Sequence, residues 1–473
     1  MNCFFVGRLL SAVVLLSSAL AVRAQDATAP AALPPDARFK ADVLLVVAHP
    51  DDDTTIGTYL ARLIDQHKRV DVIYCTSGDG GGDRIGNEAG RSLGQVRIQE
   101  ARRALASLGI ENVWFLGASD TPGQNVLWSL DHWGHGRVLE EMVRLFRLTR
   151  PEVVLTWLPE HVAGENHADH QAAGVIATEA FDLAGDRTRF AEQVSPARDR
   201  TGMMNYTEGL LPWQPKKLYY FTDSYDNFIP YWHDTSDLSP FRHNFLDGQG
   251  PVYPSTGMSA TRHKSYAQLA AEELTFFATQ DGHLGQKALD SRNLSDFEFP
   301  VRFLFGKSVV GGSATGDIFE GITDQPAPFA PTAGFRPPQR TGPAFLLGDP
   351  WLFYQQFWQA HNLEHLAKLL PVPEISASFA GTLHLPMVIE NPGSRNLQVT
   401  VTPSLPAGWQ DQSRYHRFDV APGQTVFLQM ILVAPAEGKR AWQELKWQAS
   451  SPDGPLDPVT LRVYLGKGSA LPQ

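Results

Sequence analysis

The hydrophobic and polar positions between Asp42 and about Gly185 alternate between two periods. Short continuous apolar runs, typical of strands that are buried on both faces, are followed by stretches with apolar residues at helical spacing. The predicted strands are 43–47, 70–75, 113–116 and 153–157, and the predicted helices are 55–66, 96–108, 136–149 and 171–184. The alternation predicts an α/β fold, in which a Rossmann-like parallel sheet is flanked by helices.

The pattern becomes less regular from about residue 186 to residue 320. Strands are predicted at 218–221 and 301–305, and a helix is predicted at 264–280. We interpret this part as an elaboration of the same domain. Residues 321–372 follow and contain seven prolines between 324 and 350, which predict an extended, proline-rich linker before a short helix.

From residue 373 to residue 473 the pattern is all-β, with alternating runs separated by turn signals such as Asn391-Pro392-Gly393 and Pro422-Gly423. This predicts an immunoglobulin-like β-sandwich. The predicted domains are therefore residues 40–320, with a core at 42–185, then the linker, then the sandwich. No chemistry is visible in the sandwich, and both a packing or spacing role and weak glycan binding remain open.

The first 24 residues are predicted to be an export signal. Arg8 precedes an apolar stretch at 9–22, and Val22-Arg23-Ala24 has small residues where a signal peptidase cleaves. A retained anchor helix is the alternative, although the apolar stretch is short for a membrane span. We expect an exported bacterial protein, periplasmic or secreted, in which cleavage would leave Cys75 as the one cysteine.

Composition narrows the class of partner. The chain has 473 residues, 43% hydrophobic and 19% charged, which is ordinary for a globular protein of more than one domain. The net charge of −11 argues against a nucleic-acid or anionic-membrane surface, because such partners favour clusters of lysine and arginine. A neutral or cationic substrate remains compatible.

Two short stretches carry candidate chemistry. Ala48-His49-Pro50-Asp51-Asp52-Asp53 follows the first strand directly, and His167-Ala168-Asp169-His170 comes shortly after the fourth. In open parallel sheets ligands bind at the carboxyl ends of the strands, so both stretches are expected in one crevice. His49, Asp52 and His170 would give Zn²⁺ three ligands and leave one position for water, and Fe²⁺ or Co²⁺ could occupy the same site.

The remaining polar residues of these stretches suggest roles in hydrolysis. Asp51, a carboxylate that need not bind the metal, could act as a general base. His167 could donate a hydrogen bond to the developing oxyanion. The alternative is structural: the first stretch could be a turn in which Asp52 or Asp53 caps the next helix, and the two histidines could lie on a solvated helix.

The two stretches resemble the PIG-L or LmbE-like family of zinc-dependent N-acetylglucosaminyl deacetylases over residues 42–185. Thr76–Gly81 after the second strand and the Arg97-x-x-Glu100 pair agree with that resemblance. It implies that His49, Asp52 and His170 hold zinc, that Asp51 is the base and that His167 polarises the carbonyl. Two positions depart from the family pattern: Asp53 stands where glutamate is usual, and Ala168 stands where proline is usual.

Other residues could contact a substrate. By the same resemblance Arg97 and Asp79 could reach substrate hydroxyls, although Arg97 and Glu100 could instead form a pair on a helix surface. Aromatic side chains could offer flat faces to a sugar, with core packing as the alternative. These aromatic candidates are Trp114, Trp133, Trp157 and the group at 225–232.

We therefore expect zinc-dependent hydrolysis of the N-acetyl amide of an amino-sugar, with release of acetate. The expected partner is a small-molecule or oligosaccharide substrate that carries N-acetyl groups, with no nucleic acid and no stable membrane insertion. Two rivals remain open. One is a glycan-binding protein whose metal is structural, and the other is a zinc amidohydrolase of a non-sugar amide.

Overall fold

The computed structural model describes residues 36–160, 167–195, 208–222, 248–336, 340–369 and 372–466. The predicted export signal (1–24) and the aromatic group at 225–232 lie outside the described residues. No helix in the described ranges combines the length and the apolarity that crossing a lipid bilayer requires.

A sheet that has six strands in the described ranges organises the N-terminal part of the chain. Its strands are β1 (Val43–Val47), β2 (Val70–Thr76), β3 (Val113–Ala118), β4 (Val153–Trp157), β5 (Lys217–Phe221) and β8 (Leu304–Ser308). Between β5 and β8 the chain forms a separate short pair, β6 (Val252–Tyr253) and β7 (Val301–Arg302). The spatial order of the sheet is β3-β2-β1-β4-β5-β8. The strands β1 to β5 run parallel and β8 is antiparallel at the edge, while β6 and β7 pair with each other.

Helices cover this sheet. They are α1 (Gly57–Asp65), α2 (Arg91–Leu108), α3 (Val126–Trp133), α4 (His135–Thr149), α5 (Ala168–Leu183), α6 (Ala191–Val194), α7 (Tyr266–Leu274), α8 (Gly282–Ser291) and α9 (Trp351–Ala360). Every residue of β1, β2, β4 and β5 is buried, as expected of strands that are covered on both faces. The apolar runs in the sequence therefore correspond to the centre of the core.

The strand order reverses at β1, which lies between β2 and β4. Connections that leave such a switch point diverge and open a crevice at the carboxyl edge of the sheet. Residues 48–53 follow β1 at this edge, and α5 begins at the same edge after β4. The topology thus brings together the two stretches that the sequence singled out.

The predicted fold class is confirmed, and three elements differ in detail. The helix α3 was not predicted; it is short, and it begins where Asn125 Oδ1 accepts the Leu127 N–H. The helix predicted at 264–280 ends at Leu274, because the following turns direct the N–H groups of both Gln280 and Gly282 to Phe277 O before α8 begins. The strand predicted at 301–305 is interrupted at residue 303.

The C-terminal part is a sandwich of two mainly antiparallel sheets. Its strands are β9 (Ala344–Leu347), β10 (Glu374–Ser378), β11 (Thr382–Asn391), β12 (Leu397–Ser404), β13 (Gln410–Asp411), β14 (Arg417–Val420), β15 (Gln424–Val433), β16 (Ala441–Ser451), β17 (Gly454–Pro455) and β18 (Val459–Gly466). One sheet has the order β10-β18-β16-β12-β14 with β17 paired to β16, and the other has the order β13-β15-β11-β9. Alternate side chains such as Met430 and Trp447 fill the space between the sheets.

The segment predicted as a linker takes part in both cores. Its strand β9 pairs with β11, with Leu347 opposite Met387. Its helix α9 instead buries Tyr354 and Trp358 in the N-terminal core. Residues 344–360 therefore join the two cores directly, and the domain boundaries at 320 and 372 stay a prediction.

Truncation tests those boundaries. A chain that ends at residue 372 retains α9 and is expected to fold, but it loses β11 and exposes Phe345 and Leu347, which are buried in the full chain. Substituting serine at both positions of the truncated chain should restore its solubility, measured by gel filtration and thermal unfolding. A truncated chain that stays unfolded with both substitutions would show that the cores depend on each other.

Asp71, at the start of β2, should make stability depend on pH. Its side chain accepts a hydrogen bond from Asn112 Nδ2 at 3.1 Å, while Oδ2 has no partner in the described part of the chain. Burial raises the pKa of the Asp71 carboxyl to about 7. The folded chain therefore holds this proton more tightly than the unfolded chain, in which the pKa is about 4. Between those two values stability should fall as the pH rises.

Asp71→Asn should remove that dependence. Near pH 4, the free energy of unfolding of this variant should match that of the wild type. At pH 8 it should exceed the wild-type value by up to about 4 kcal/mol, as measured by urea unfolding. Asp42→Asn is the opposite control at the same edge: burial alone would raise the pKa of Asp42, but bonds from Arg69 lower it, so this variant should lose stability at pH 8. No gain for Asp71→Asn at pH 8 would contradict the assignment.

Candidate metal-dependent active site

The chain folds back on itself directly after β1. Asp51 has a φ of +97°, in the left-handed region, and its carbonyl accepts bonds from Thr54 N at 2.9 Å and Thr54 Oγ1 at 2.6 Å. A short 3₁₀ turn from Asp52 to Ile56 then leads into α1. The turn brings Asp52 Oδ2 to within 2.9 Å of Ala48 N and 3.0 Å of His49 N, which both donate to it.

The two oxygens of Asp52 have different surroundings. Oδ2 accepts a third bond, from Trp157 Nε1 on β4 at 2.7 Å, so its lone pairs are fully used. Oδ1 faces His49 Nδ1 at 3.5 Å and His170 Nε2 at 3.2 Å. Burial alone would raise the pKa of Asp52, but His170 and His49 hold it well below its usual range. One oxygen is therefore fixed by the scaffold, and the other is directed at the histidines.

His170 reaches this position because α5 lies close to the end of β4. A Cβ on Gly174, one turn further along α5, would lie 2.3 Å from Trp157 O, so any larger residue would push the helix away. The imidazole of His170 stacks on the Trp157 indole, with 4.0 Å between ring centroids and 3° between planes. The same tryptophan thus orients two of the predicted ligands.

The donor set fits a small divalent cation. In a tetrahedral zinc site with bonds of about 2.0–2.1 Å, neighbouring ligand atoms are about 3.3 Å apart, close to the two distances that join Asp52 Oδ1 to the histidines. The ring nitrogens of His49, His167 and His170 can also approach one another to within 4.8 Å. The arrangement could therefore bind a metal, and His167 is a geometric alternative to Asp52 as the third ligand.

Two further carboxylates lie beside His49. Its Nε2 is 3.3 Å from Asp169 Oδ2 and 3.8 Å from Asp120 Oδ1. Asp169 is itself held by the backbone N–H of Thr121 at 2.8 Å and by the Thr121 hydroxyl. Burial alone would lower the pKa of His49, but Asp120 and Asp52 raise it well above its usual value. A carboxylate on the outer nitrogen is the usual way to orient a metal-binding histidine.

The sequence analysis missed Asp120 and Asp169 as site residues. Asp120 comes two residues after β3, so the rule that placed His49 at the carboxyl edge would also have found Asp120. Asp169 stands between the two histidines of the second stretch, but no local pattern in the sequence shows that its side chain meets His49.

The two predicted catalytic residues flank the converging donors. The Asp51 side chain is half-buried, and none of the hydrogen bonds between described residues involves its carboxylate. Burial and the neighbouring Asp52 raise the pKa of Asp51 well above its usual range. The His167 ring is also half-buried and lies 4.1 Å from His170 and 5.0 Å from His49, centroid to centroid. Burial and those two histidines lower the pKa of His167.

Arg97 and Asp79 organise the loop after β2. Arg97 is buried and donates to Gly78 O at 2.7 Å and Gly82 O at 2.9 Å. Asp79 Oδ1 accepts the Asp120 N–H at 2.9 Å, and Asp120 in turn accepts the Gly80 N–H. These contacts fix the crevice wall, and the substrate-binding role of the two residues stays a prediction.

Two of the alternatives raised by the sequence are wrong. Glu100 accepts bonds from Thr279 N and Oγ1, so Arg97 and Glu100 do not form a helix-surface pair. Trp133 and Trp157 are almost fully buried and cannot present a face to a sugar. Trp133 donates to Ser119 O in the core, and Trp157 lies behind Asp52. Trp114 is half-buried and remains a candidate.

Asp53, the departure from the family pattern, is fully buried and has a carboxyl neighbour. The Tyr74 hydroxyl donates to Asp53 Oδ1 at 2.5 Å, and Glu273 from α7 lies within hydrogen-bond reach of the same carboxyl group. Burial raises the pKa of both Asp53 and Glu273. The two buried carboxyl groups can therefore share a proton.

The comparisons with known proteins agree with this site. Residues 44–181 match the family model described as PIG-L: GlcNAc-PI de-N-acetylase. A 1D-myo-inositol 2-acetamido-2-deoxy-alpha-D-glucopyranoside deacetylase of Thermobifida fusca is 27% identical over 193 residues, covering 37% of this chain and 60% of that protein. A diacetylchitobiose deacetylase of Thermococcus kodakarensis is 32% identical over 148 residues, covering 30% of this chain and 50% of that protein.

Among solved structures, the N,N'-diacetylchitobiose deacetylase from Pyrococcus horikoshii is similar to this chain, with 15% identity and a TM-score of 0.35 over 56% of this chain and 83% of that one. The chain thus spans between half and three fifths of the length of the two curated relatives named above. The matched segment contains most of β1, the strands β2 to β4, most of α5 and every residue of the candidate metal site. Over residues 44–181 the chain is thus similar to PIG-L domains.

Proposed function

We propose that the chain is a zinc-dependent N-deacetylase that hydrolyses the N-acetyl amide of an amino-sugar and releases acetate. The family match and the relatives, which are named as deacetylases of N-acetylated sugars, support this proposal. One observation carries it: the carboxylate of Asp51 has no hydrogen-bond partner among the described residues, yet it is close enough to Asp52 and His49, two of the proposed ligands, for their charges to act on its pKa. A site built only to hold a structural metal has no need of such a group.

In the proposed reaction, His49, Asp52 and His170 hold the metal, which when bound polarises the acetyl carbonyl and acidifies the attacking water. Asp51 takes the proton of that water as its oxygen attacks the carbonyl carbon. His167 donates a hydrogen bond to the oxyanion that develops. The proton held by Asp51 then passes to the amide nitrogen as the C–N bond breaks, which gives acetate and the free amine. Asp169 and Trp157 keep the ligand side chains in place throughout.

The rivals predict different reactivity. A glycan-binding protein with a structural metal should bind oligosaccharides without releasing acetate. An amidohydrolase of a non-sugar amide should hydrolyse peptides or other amides in preference to N-acetylglucosamine oligomers. Acetate release measured on such oligomers and on a peptide panel separates the three functions.

We also propose that the protein is exported, on the basis of residues 1–24. Expression of the full chain in a bacterial host, followed by fractionation and N-terminal sequencing, tests this. A mature chain that begins near residue 25 in the periplasm or medium supports export. An uncleaved chain in the membrane fraction supports the retained anchor.

The ligand assignment predicts which substitutions remove the metal. His49→Ala, Asp52→Ala and His170→Ala should each lose stoichiometric zinc, because two remaining ligands provide too little binding free energy. His167→Ala should keep it. His135→Ala is the control, since His135 also pairs with a carboxylate, Glu179, but lies outside the donor sets.

Elemental analysis of purified variants reports both the identity and the amount of the metal. Full metal in Asp52→Ala together with loss in His167→Ala would show that His167 is the third ligand. Iron or cobalt in place of zinc would change the cofactor without changing the ligand set.

The catalytic assignment predicts a separation of metal binding from turnover. Asp51→Asn keeps the shape of the side chain but removes its basicity, so zinc should still bind while turnover falls by about 10²–10⁴-fold. His167→Ala should cost about 10²–10³-fold. Asp186→Asn, in a turn beyond the end of α5, is the control and should leave turnover unchanged. Wild-type turnover with full zinc in Asp51→Asn would rule out the proposed base.

A further inference from the structure

We infer that Gln280, which lies outside the segment matched by the family model, is a positioning residue that holds Asp51 in its reactive place. This inference rests on the proposed function, in which Asp51 is the base. It assigns a role in the reaction to the turn between α7 and α8, which belongs to the irregular part of the chain between residues 186 and 320.

The backbone at Asp51 needs external support. A φ of +97° is unfavourable for a residue with a side chain, and such conformations persist where neighbouring groups hold them. On the C-terminal side the support comes from Thr54, which donates twice to Asp51 O. The side chain supplies none, because no described residue forms a hydrogen bond with the Asp51 carboxylate. The peptide that joins Pro50 to Asp51 therefore depends on a contact from elsewhere.

Gln280 provides that contact. Its Nε2 donates to Pro50 O at 2.6 Å, across 230 positions of the sequence. Pro50 O belongs to the peptide whose nitrogen is that of Asp51, so the bond acts on the dihedral angle that aims the Asp51 carboxylate. Gln280 is 8% exposed, and its Oε1 is buried without a partner in the described part of the chain. Solvent cannot easily replace a bond in such a place.

Gln280 is itself rigidly held. The preceding residue, Thr279, donates through N and Oγ1 to the two carboxylate oxygens of Glu100 on α2, at 3.0 and 2.6 Å. The Gln280 N–H donates to Phe277 O at 2.9 Å. Arg84 contacts both neighbours of Gln280: its backbone N–H donates to Thr279 O, and its guanidinium pairs with Asp281 at 3.0 Å. Because Gln280 is fixed in this way, its side chain can hold the Pro50–Asp51 peptide in one orientation, which a mobile side chain could not do.

The bond from Gln280 to Pro50 is expected to affect the rate of hydrolysis more than the binding of substrate or metal. Catalytic groups lose much of their effect when they move by about 1 Å, which can cost about a hundredfold in rate. Gln280 bonds to the chain before Asp51, and no hydrogen bond between described residues joins it to a ligand side chain, so its loss should leave the metal in place. The expected defect therefore lies in kcat, with KM and metal content close to the wild type.

The first test replaces the amide by a side chain of similar size. Gln280→Met should lower kcat for acetate release by about ten- to a hundredfold, with KM within about twofold and full zinc content. Gln214→Met is the matched control: Gln214 is also buried and donates to a main-chain carbonyl, Phe181 O, at 3.1 Å, but at the far end of α5. The control should show a comparable loss of thermal stability and unchanged kcat.

A double-mutant cycle shows whether Gln280 acts through Asp51. In an Asp51→Asn background, Gln280→Met should cost less than about twofold, because the group that Gln280 positions no longer acts as a base. The same loss in both backgrounds would overturn the inference. Wild-type kcat in Gln280→Met would overturn it as well, and so would loss of zinc from that variant, which would place Gln280 among the supports of the ligands instead.

A crystal structure of Gln280→Met keeps this test independent of the proposed function. The inference expects the φ of Asp51 to leave the left-handed region, or its carboxylate to move by more than about 1 Å. An unmoved Asp51 would overturn the inference whatever the activity. If the wild-type protein releases no acetate from any amide while Asp51 moves in the variant, the proposed function fails and the positioning role stands.

Discussion

The carboxylate of Asp52 is the interaction on which the rest of the site depends. It is taken out of water at the end of the central strand, and three donors satisfy one of its oxygens: two backbone N–H groups and the indole of Trp157. A buried anion with this much hydrogen bonding keeps its charge, and the second oxygen is left to attract cations. The positions of His49 and His170 follow, because both rings are drawn to that oxygen.

The residues that support the site residues come from different parts of the chain. Asp169, which Thr121 holds, contacts His49. The 48–53 segment is contacted by α7 through Glu273, next to Asp53, and by the turn after α7 through Gln280, which donates to Pro50 O. The family match ends at residue 181, so α7 and the turn after it lie outside the matched segment. Part of the support of the 48–53 segment therefore comes from outside the matched segment.

The main features of the fold could be predicted because they follow from local pattern. Continuous apolar runs marked β1 and β4, and the edge rule for parallel sheets then placed His49 and His170 together. The supports could not be predicted in the same way. Gln280 meets Pro50 across 230 positions. Trp157 was predicted as part of β4 and as a candidate face for a sugar, whereas its Nε1 bonds to Asp52. Such contacts depend on side-chain direction and on packing between distant elements, which no periodicity records.

The arrangement of β9 and α9 has a consequence for how the protein is made. The N-terminal core is incomplete until Tyr354 and Trp358 are in place, and β9, a few residues earlier, has no partner until β11 has emerged from the ribosome. During translation the nascent chain must therefore keep an apolar strand unpaired while the helix beside it docks. Residues 344–347 are therefore an apolar segment that is open to aggregation until β11 has been made.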